Sequence, residues 1–274
     1  MKITRRRIRN SALLLAGMCL APAFAQEIVT FPSGNLLLHG VVYKPVGTGP
    51  FPAVVFNHGS GKDYAKQFDA VGPLYASRGF VLFAPYRRGQ GLSSDAGANI
   101  LELLDKEAAA NGTAARGKLM VKLLETDHLD DQLAALAWLE KQKYVNPRKI
   151  AVAGNSFGGI EVLLAAERTT TYCAAIDSAG AALTWADSPA IRERLVRAVK
   201  NAKIPIFLFQ AENDKDLSPS KTLAAELGAL NKPHRLKIYP PYGKTTDDGH
   251  SFGYYGGEQW IGDVVEFIDR ACRR

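Results

Sequence analysis

The chain has 274 residues, and 47% of them are hydrophobic, which is enough apolar material for a large folded core. Its formal net charge is +7, but five of the 34 basic residues and no acidic residue lie within residues 1–25. Residues 26–274 therefore carry 29 basic against 27 acidic side chains, a net charge of +2, with no basic run. This balance gives no support for a nucleic-acid partner or for binding to an anionic membrane.

The first 25 residues have the pattern of an export signal. Basic residues without any acid occupy residues 1–10, an apolar run follows over residues 12–20, and Ala23-Phe24-Ala25 places small residues where a signal peptidase reads. The apolar run is shorter than the ~20 residues that span a bilayer. We therefore expect cleavage after Ala25 and a periplasmic or secreted protein with no membrane partner. Residues 4–8 also resemble a twin-arginine signal, so the export route stays open.

The remaining chain alternates short apolar, β-branched runs with helical stretches. A single α/β domain reaches this length without dividing, and the alternation predicts a doubly wound, mostly parallel sheet whose first strands form an antiparallel edge. The predicted strands cover residues 36–43, 53–56, 80–84, 149–153, 174–176, 204–209 and 235–239, and the predicted helices cover residues 64–77, 127–142, 157–168, 219–230 and 258–271. In Ser218-Pro219 a capping hydroxyl precedes a proline at the first helical position, which favours a helix start.

Two segments are longer than this alternation requires. Residues 93–125 are predicted to be mostly helical with a break at Asn111-Gly112, and residues 180–202 include a predicted helix over 191–199. Both follow the carboxyl ends of predicted strands, which is the edge where open parallel sheets bind ligands. They are predicted helical insertions over this edge, and they either wall a pocket or enlarge the helical layer.

Two cysteines, Cys173 and Cys272, remain after the leader. An exported protein permits a disulfide between them, but the usual state of two such residues in a sequence of this kind is a pair of buried free thiols. We therefore expect free thiols. The cysteine spacing offers no zinc site, and no metal is expected.

The most specific local pattern is Gly154-Asn-Ser156-Phe-Gly158. It has the form G-x-S-x-G, and it stands between an apolar strand and a helix-forming run, as the motif requires. Ser156 would sit on a sharp bend that a side chain two residues away on either side would obstruct. The free N–H groups of the following helix favour the negative charge that develops in acyl transfer. The pattern predicts a nucleophilic serine.

A serine nucleophile needs a general base and an acid that orients it. Only His234 and His250 follow Ser156, and His234 opens a strand at the opposite edge of the sheet, so His250 is the predicted base. Asp214 follows the strand 204–209 at a suitable spacing and is the predicted acid. Asp177, after the preceding strand, is the alternative. Of the other acids near Asp214, Asp216 serves the helix start and Glu212 is structural in this interpretation.

The oxyanion hole requires two backbone donors. The residue after the nucleophile, Phe157, supplies one, and Ser60 in Asn57-His58-Gly59-Ser60-Gly61 is the predicted second donor. We interpret His58 as a buried residue that hydrogen-bonds neighbouring loops. Arg87-Arg88 lies at the same edge and either binds a substrate anion or, more commonly for arginine, pairs with structural acids.

Five ordered motifs carry a family resemblance. They are residues 57–61, 86–91, 154–159, 212–214 and 249–252. Together they resemble the dienelactone hydrolase branch of the α/β-hydrolases, which implies that fold, the Ser156–His250–Asp214 triad and hydrolysis of carboxylic esters or lactones without a cofactor. Dienelactone hydrolases themselves use a cysteine nucleophile, so Ser156 marks a serine variant. The serine and the Arg-Gly motif are also similar to those of esterases and of prolyl-oligopeptidase-type catalytic domains.

We therefore expect an exported serine hydrolase acting on a small-molecule ester through an acyl-enzyme. An amidase or small peptidase with the same triad is the alternative within enzymes. A non-catalytic binding protein with this fold is the alternative outside them. The sequence leaves the oligomeric state and the natural substrate open.

Overall fold

The computed structural model describes residues 24–273. The predicted leader lies outside these residues except for Phe24 and Ala25, which begin the first strand. Among the helices of the described part, none combines the length and the apolar character needed to cross a membrane.

Eight strands form one sheet. In chain order they are β1 (Phe24–Ser33), β2 (Leu36–Pro45), β3 (Phe51–Asn57), β4 (Val81–Pro85), β5 (Val145–Asn155), β6 (Ala175–Ser178), β7 (Ile206–Ala211) and β8 (His234–Tyr239). Their order across the sheet is β1-β2-β4-β3-β5-β6-β7-β8. The β1–β2 and β2–β4 pairs are antiparallel, and the pairs from β4 through β8 are parallel. The predicted fold class and the antiparallel edge are confirmed, although sequence analysis did not identify β1.

Nine helices are present in residues 24–273, besides one turn of 3₁₀ helix at Gly91–Ser93 and a π-helical turn at Leu124–His128. They are α1 (Ala65–Ser77), α2 (Ile100–Leu123), α3 (Leu129–Leu139), α4 (Phe157–Arg168), α5 (Pro189–Asn201), α6 (Ser218–Ala229), α7 (Thr246–His250), α8 (Phe252–Tyr255) and α9 (Gly257–Ala271). The helix predicted over 127–142 is shorter, because the π-helical turn precedes it.

The strands are buried on both faces, and alternate residues enter two separate cores. In β4, Val81 and Phe83 join the core beneath α2 to α6, whereas Leu82 and Ala84 join the core beneath α1 and α9. This alternation follows from the two-residue period of a strand. It makes the sheet doubly wound, so that the carboxyl ends of β3 to β8 share one edge.

The two long segments contribute to the helical layer. In α2 the predicted break is present, since Gly112 has a φ of 84°. Leu195 and Val199 of α5 are buried in the same core as α4. The helix start predicted at Ser218 exists, but its hydroxyl does not cap the helix. The Ser218 N–H donates instead to the Asp216 carboxylate (2.8 Å), as the interpretation of Asp216 anticipated.

The two cysteines are not free thiols. Cys173 and Cys272 form a disulfide with Cα atoms 5.2 Å apart, so the expectation of two thiols was wrong. Cys173 lies two residues before the strand β6, and Cys272 directly follows α9. The residues are 99 positions apart in sequence, and only the packing of α9 against the sheet brings them together.

Candidate active site

The Ser156 side chain stands on the turn between β5 and α4. Its backbone has φ 59° and ψ −116°, a conformation that L residues rarely adopt and that costs about 1–3 kcal/mol. The Ser156 N–H donates to the Ser178 carbonyl at the end of β6 (2.8 Å), which fixes the turn against the neighbouring strand. The strained turn leaves the hydroxyl half-buried above the sheet, as the predicted nucleophile requires.

The glycines of the motif permit two close backbone contacts. A Cβ on Gly158 would lie 2.0 Å from the Asn57 carbonyl oxygen and 2.8 Å from that of His58. A Cβ on Gly154 would lie 2.5 Å from the Gly158 carbonyl oxygen. The first residues of α4 therefore pack directly against the loop after β3. This contact brings the two predicted sources of oxyanion donors, Phe157 and Ser60, to the same edge of the sheet.

His250 reaches both predicted partners. Its Nε2 lies 2.8 Å from Ser156 Oγ, and its Nδ1 lies 2.8 Å from Asp214 Oδ1. His250 is the last residue of α7, a short helix whose start carries a reciprocal capping box between Thr245 and Asp248. The structure therefore joins three residues from the ends of β5, β7 and β8 into one hydrogen-bonded chain.

The Asp214 carboxylate is held from several directions. Its side chain is fully buried, and besides His250 it accepts hydrogen bonds from the Lys215 N–H (2.6 Å) and the Gln210 side chain (2.7 Å). These donors satisfy the buried carboxylate and fix its orientation. It can therefore hold the imidazole with Nε2 facing Ser156.

Asp177, the alternative acid, is also buried but bonds elsewhere. Its Oδ1 accepts from the Gly180 N–H (2.9 Å), and its Oδ2 has no partner among the described residues. Burial raises the pKa of Asp177 to about 7, and the Asp214 charge adds to this rise while the Gly180 N–H opposes it. The geometry thus favours Asp214 over Asp177 as the partner of His250. Glu212 is exposed.

Two asparagines that sequence analysis did not single out fix the His250 segment. The Asn155 side chain donates to the His250 carbonyl (3.3 Å), and the Asn213 side chain donates to the carbonyls of Tyr242 and Thr245 (2.8 Å each). Each asparagine adjoins one predicted triad member, Ser156 or Asp214. The only feature of the sequence that could have indicated this positioning role is the place of both asparagines inside the motifs.

The two arginines pair with structural acids. Arg87 is 1% exposed and donates to Glu161 (2.7 Å), which is itself fully buried in α4. Arg88 binds Asp131 through two nitrogens (2.9 and 2.7 Å). The geometry therefore favours the structural interpretation of this motif over a substrate-anion site. The available signal for Glu161 was its place as the one acid within the otherwise apolar run 157–166.

The predicted oxyanion loop contacts this buried arginine. The Gly59 carbonyl accepts from Arg87 Nη2 (2.6 Å), and His58, which is fully buried, has its Nδ1 2.8 Å from the same carbonyl. Burial and the nearby Arg87 charge lower the pKa of His58 well below its usual value, so His58 is neutral. His58 is therefore buried and hydrogen-bonded within this loop, as the sequence analysis predicted.

The amides on either side of Ser60 are already used. The Gly59 N–H donates to the Tyr254 hydroxyl (2.9 Å), and the Gly61 N–H donates to the Tyr64 hydroxyl (2.7 Å). Ser60 itself is half-buried. Phe157 is the first residue of α4, where backbone N–H groups lack helical partners.

Comparison with solved structures places this site in a known fold. Acylaminoacyl peptidase from Pyrococcus horikoshii matches with a TM-score of 0.64 and 18% identity, over 91% of this chain and 42% of that chain. A Klebsiella pneumoniae protein assigned as a dienelactone hydrolase matches with a TM-score of 0.66 and 17% identity, over 87% and 97% of the two chains. A puromycin-hydrolyzing peptidase from Mycobacterium tuberculosis matches with a TM-score of 0.64 and 19% identity, over 91% and 39%.

This chain spans about two fifths of the length of the peptidases that it matches. At these identities the similarity concerns the fold. The sequence gives the closer assignment, since the profile of the dienelactone hydrolase family matches residues 38–258. The chain is therefore a hydrolase that belongs to the dienelactone hydrolase family.

Proposed function

We propose that this chain is a serine hydrolase that cleaves a carboxylic ester or lactone of a small molecule through an acyl-enzyme. The observation that carries the proposal is the chain of two 2.8 Å contacts that joins Ser156 Oγ, the His250 imidazole and the Asp214 carboxylate. A serine hydroxyl becomes nucleophilic when a neighbouring base accepts its proton, and the buried acid keeps that base in the required tautomer.

In the proposed reaction Ser156 Oγ attacks the acyl carbon while its proton passes to His250 Nε2. The carbonyl oxygen becomes an oxyanion, which the N–H groups of Ser60 and Phe157 and the N-terminus of α4 stabilise. The C–O bond to the leaving alcohol then breaks as His250 returns the proton to that oxygen. Water, deprotonated by His250, then attacks the acyl-enzyme. The acyl C–Oγ bond breaks as His250 passes the proton to Ser156 Oγ, which releases the carboxylic acid and free Ser156. These steps need no cofactor.

The decisive experiment is labelling with a fluorophosphonate probe. We expect the wild-type protein and the Ser77→Ala variant, whose serine is exposed on α1, to be labelled equally. We expect Ser156→Ala to lose the label and at least about 10³-fold of its esterase activity, since the nucleophile contributes at least this much in triad enzymes. A folded wild-type protein that is neither labelled nor active on any ester would contradict the proposal and favour a binding protein.

The ester preference is tested with matched substrates. We expect faster turnover of p-nitrophenyl acyl esters than of the corresponding p-nitroanilides, because an alcohol is the better leaving group. Rapid cleavage of anilides without cleavage of esters would establish the amidase or peptidase alternative instead.

We also propose that the protein is exported. The disulfide between Cys173 and Cys272 supports this proposal, because disulfides persist mainly in oxidising compartments. The leader-like pattern of residues 1–25 is the second support. Expression of the full chain in a bacterial host, followed by fractionation and intact mass, should yield periplasmic or secreted protein that begins at Gln26. Uncleaved protein in the cytoplasm would refute it.

A further inference from the structure

Gly59, the residue before the proposed oxyanion donor Ser60, is held on both sides. Its N–H donates to the Tyr254 hydroxyl (2.9 Å), and its carbonyl accepts from the Arg87 guanidinium (2.6 Å). Both side chains are buried, with Tyr254 6% and Arg87 1% exposed. Neither residue belongs to the proposed triad, so these contacts need another explanation.

The geometry of a peptide bond links the carbonyl contact to the donor. The Gly59 carbonyl and the Ser60 N–H belong to one planar peptide unit, and in a trans peptide they point in opposite directions. The Gly59 carbonyl points towards the buried Arg87 guanidinium. Glu161 and Gln90 hold this guanidinium in place (2.7 and 3.3 Å). The Ser60 N–H is therefore directed away from Arg87. The positive charge of Arg87, hydrogen-bonded to the Gly59 carbonyl, also polarises the peptide and makes the Ser60 N–H a better donor.

Tyr254 connects the other side of Gly59, through the N–H of the His58–Gly59 peptide, to the segment that carries the base. It lies in α8, which follows α7 and its last residue His250 with only Ser251 between them. This segment is tightly packed, because a Cβ on Gly253 would lie 2.2 Å from the Asn155 side chain and 2.3 Å from the Ser178 hydroxyl. Burial raises the pKa of Tyr254 well above its usual value, so the phenol stays neutral and can accept from the Gly59 N–H.

We propose that Tyr254 and Arg87 are positioning residues that hold Gly59 from both sides and thereby keep the N–H of the Gly59–Ser60 peptide directed at the oxyanion. Tyr254 ties the preceding peptide, His58–Gly59, to the His250 segment. Arg87 ties the Gly59–Ser60 peptide to α4, the helix behind Ser156. The oxyanion donor, the base and the nucleophile are thereby kept in one fixed arrangement. This inference rests on the proposed function, since it assigns roles within the same reaction.

The first test is Tyr254→Phe, which removes the hydroxyl and keeps the ring. Loss of a fixed oxyanion donor acts in the transition state, so kcat for a p-nitrophenyl ester should fall about 10- to 100-fold while KM changes less than about twofold. The matched control is Tyr255→Phe, because Tyr255 is the neighbour in α8 and its side chain is 46% exposed. This control should leave both constants unchanged.

A second readout separates positioning from a merely structural role. A boronic acid that forms a tetrahedral adduct with Ser156 should bind Tyr254→Phe more weakly by the same factor as the fall in kcat/KM. The product carboxylic acid should bind both proteins equally. If kcat falls only in proportion to the folded fraction measured by circular dichroism, or if only KM rises, the inference is overturned.

The third test asks whether both residues act through Gly59. Arg87→Met combined with Glu161→Gln avoids a stranded buried charge, and it should also lower kcat. Adding Tyr254→Phe to this variant should lower kcat by much less than it does in the wild-type protein, because the peptide is already released. Independent, multiplicative effects would overturn the shared role. If the double variant does not fold, the Tyr254→Phe result decides alone.

The failures of the two proposals are distinguishable. A wild-type protein without esterase activity or probe labelling contradicts the proposed function. An active wild-type protein whose Tyr254→Phe variant retains full kcat and full boronic acid affinity contradicts only the positioning role.

Discussion

Two buried aspartates stand at the ends of neighbouring strands, and their surroundings differ. Asp214, after β7, accepts hydrogen bonds from His250, Lys215 and Gln210. Within residues 24–273, Asp177, in β6, accepts a hydrogen bond only from the Gly180 N–H, through one oxygen. The turn after β6 is strained, because Ala179 and Ala181 both have positive φ angles, 58° and 65°. The comparison teaches that burial alone does not place a carboxylate against His250. The position of the carboxylate and the donors around it decide which acid the imidazole meets.

The largest expected effect tests the Asp214 side of this comparison. Asp214→Asn should lower kcat on a p-nitrophenyl ester by about 10³–10⁴-fold, because an amide at this position favours the wrong imidazole tautomer. The paired variant Asp177→Asn should lower kcat less than about threefold. Steady-state kinetics on both proteins checks this. A larger loss in Asp177→Asn than in Asp214→Asn would reverse the assignment of the acid.

An intermediate effect, on stability alone, is expected at the other end of β6. The disulfide at Cys173 closes a loop with a sequence separation of 99, and loss of a native disulfide typically costs about 2–5 kcal/mol of unfolding free energy. The Cys173→Ser, Cys272→Ser double variant should therefore unfold at lower urea concentration. Its kcat at 25 °C should match wild type, because the bridge lies far from the strand ends that hold the triad. Unchanged urea stability would show that the bridge contributes nothing.

The smallest effect concerns the pH dependence of stability at Asp177. Burial raises its pKa in the folded protein to about 7, above the unfolded value, so the folded state binds the extra proton between about pH 4 and pH 7. The stabilisation that the protonated Asp177 contributes is present at low pH, and it is lost as the pH rises through the folded-state pKa of about 7. The Asp177→Asn variant has no such loss. From pH 5 to pH 8 its free energy of unfolding should therefore increase by roughly 2–4 kcal/mol relative to that of the wild type.

Urea unfolding of both proteins at the two pH values measures this difference. Equal changes with pH in wild type and Asp177→Asn would mean that Asp177 is ionised in the folded protein across the whole range.

Most of the fold followed from local patterns. Apolar strand runs and helical periodicity predicted the strands β2 to β8, and Gly112 marked the break in α2, because these signals depend on residues close in sequence. The strand β1 was not predicted, because it lacks a buried pattern of its own and is stabilised by its pairing with β2. The free-thiol expectation failed for a related reason, as no local signal reports a contact across 99 positions.

The candidate site was predictable in part. Ser156, His250 and Asp214 were identified from motif and strand order, and the structure brings their side chains into contact, while their catalytic role stays a prediction. Tyr254 as a partner of Gly59 could not be predicted, because the two residues are 195 positions apart. The choice between Asp177 and Asp214 was also open, since both follow strands of similar character.

The sequence by itself determined the kinds of chemical groups and their order along the chain: a serine between glycines, then acids after two strands, then a histidine. It did so because glycine, strand and helix signals act over a few residues. Only the tertiary structure decided which acid meets His250, which residues hold the Gly59 peptide and which cysteines pair. Those contacts depend on the order of strands in the sheet and on packing between its two helical layers, and both arise only when distant segments are buried together.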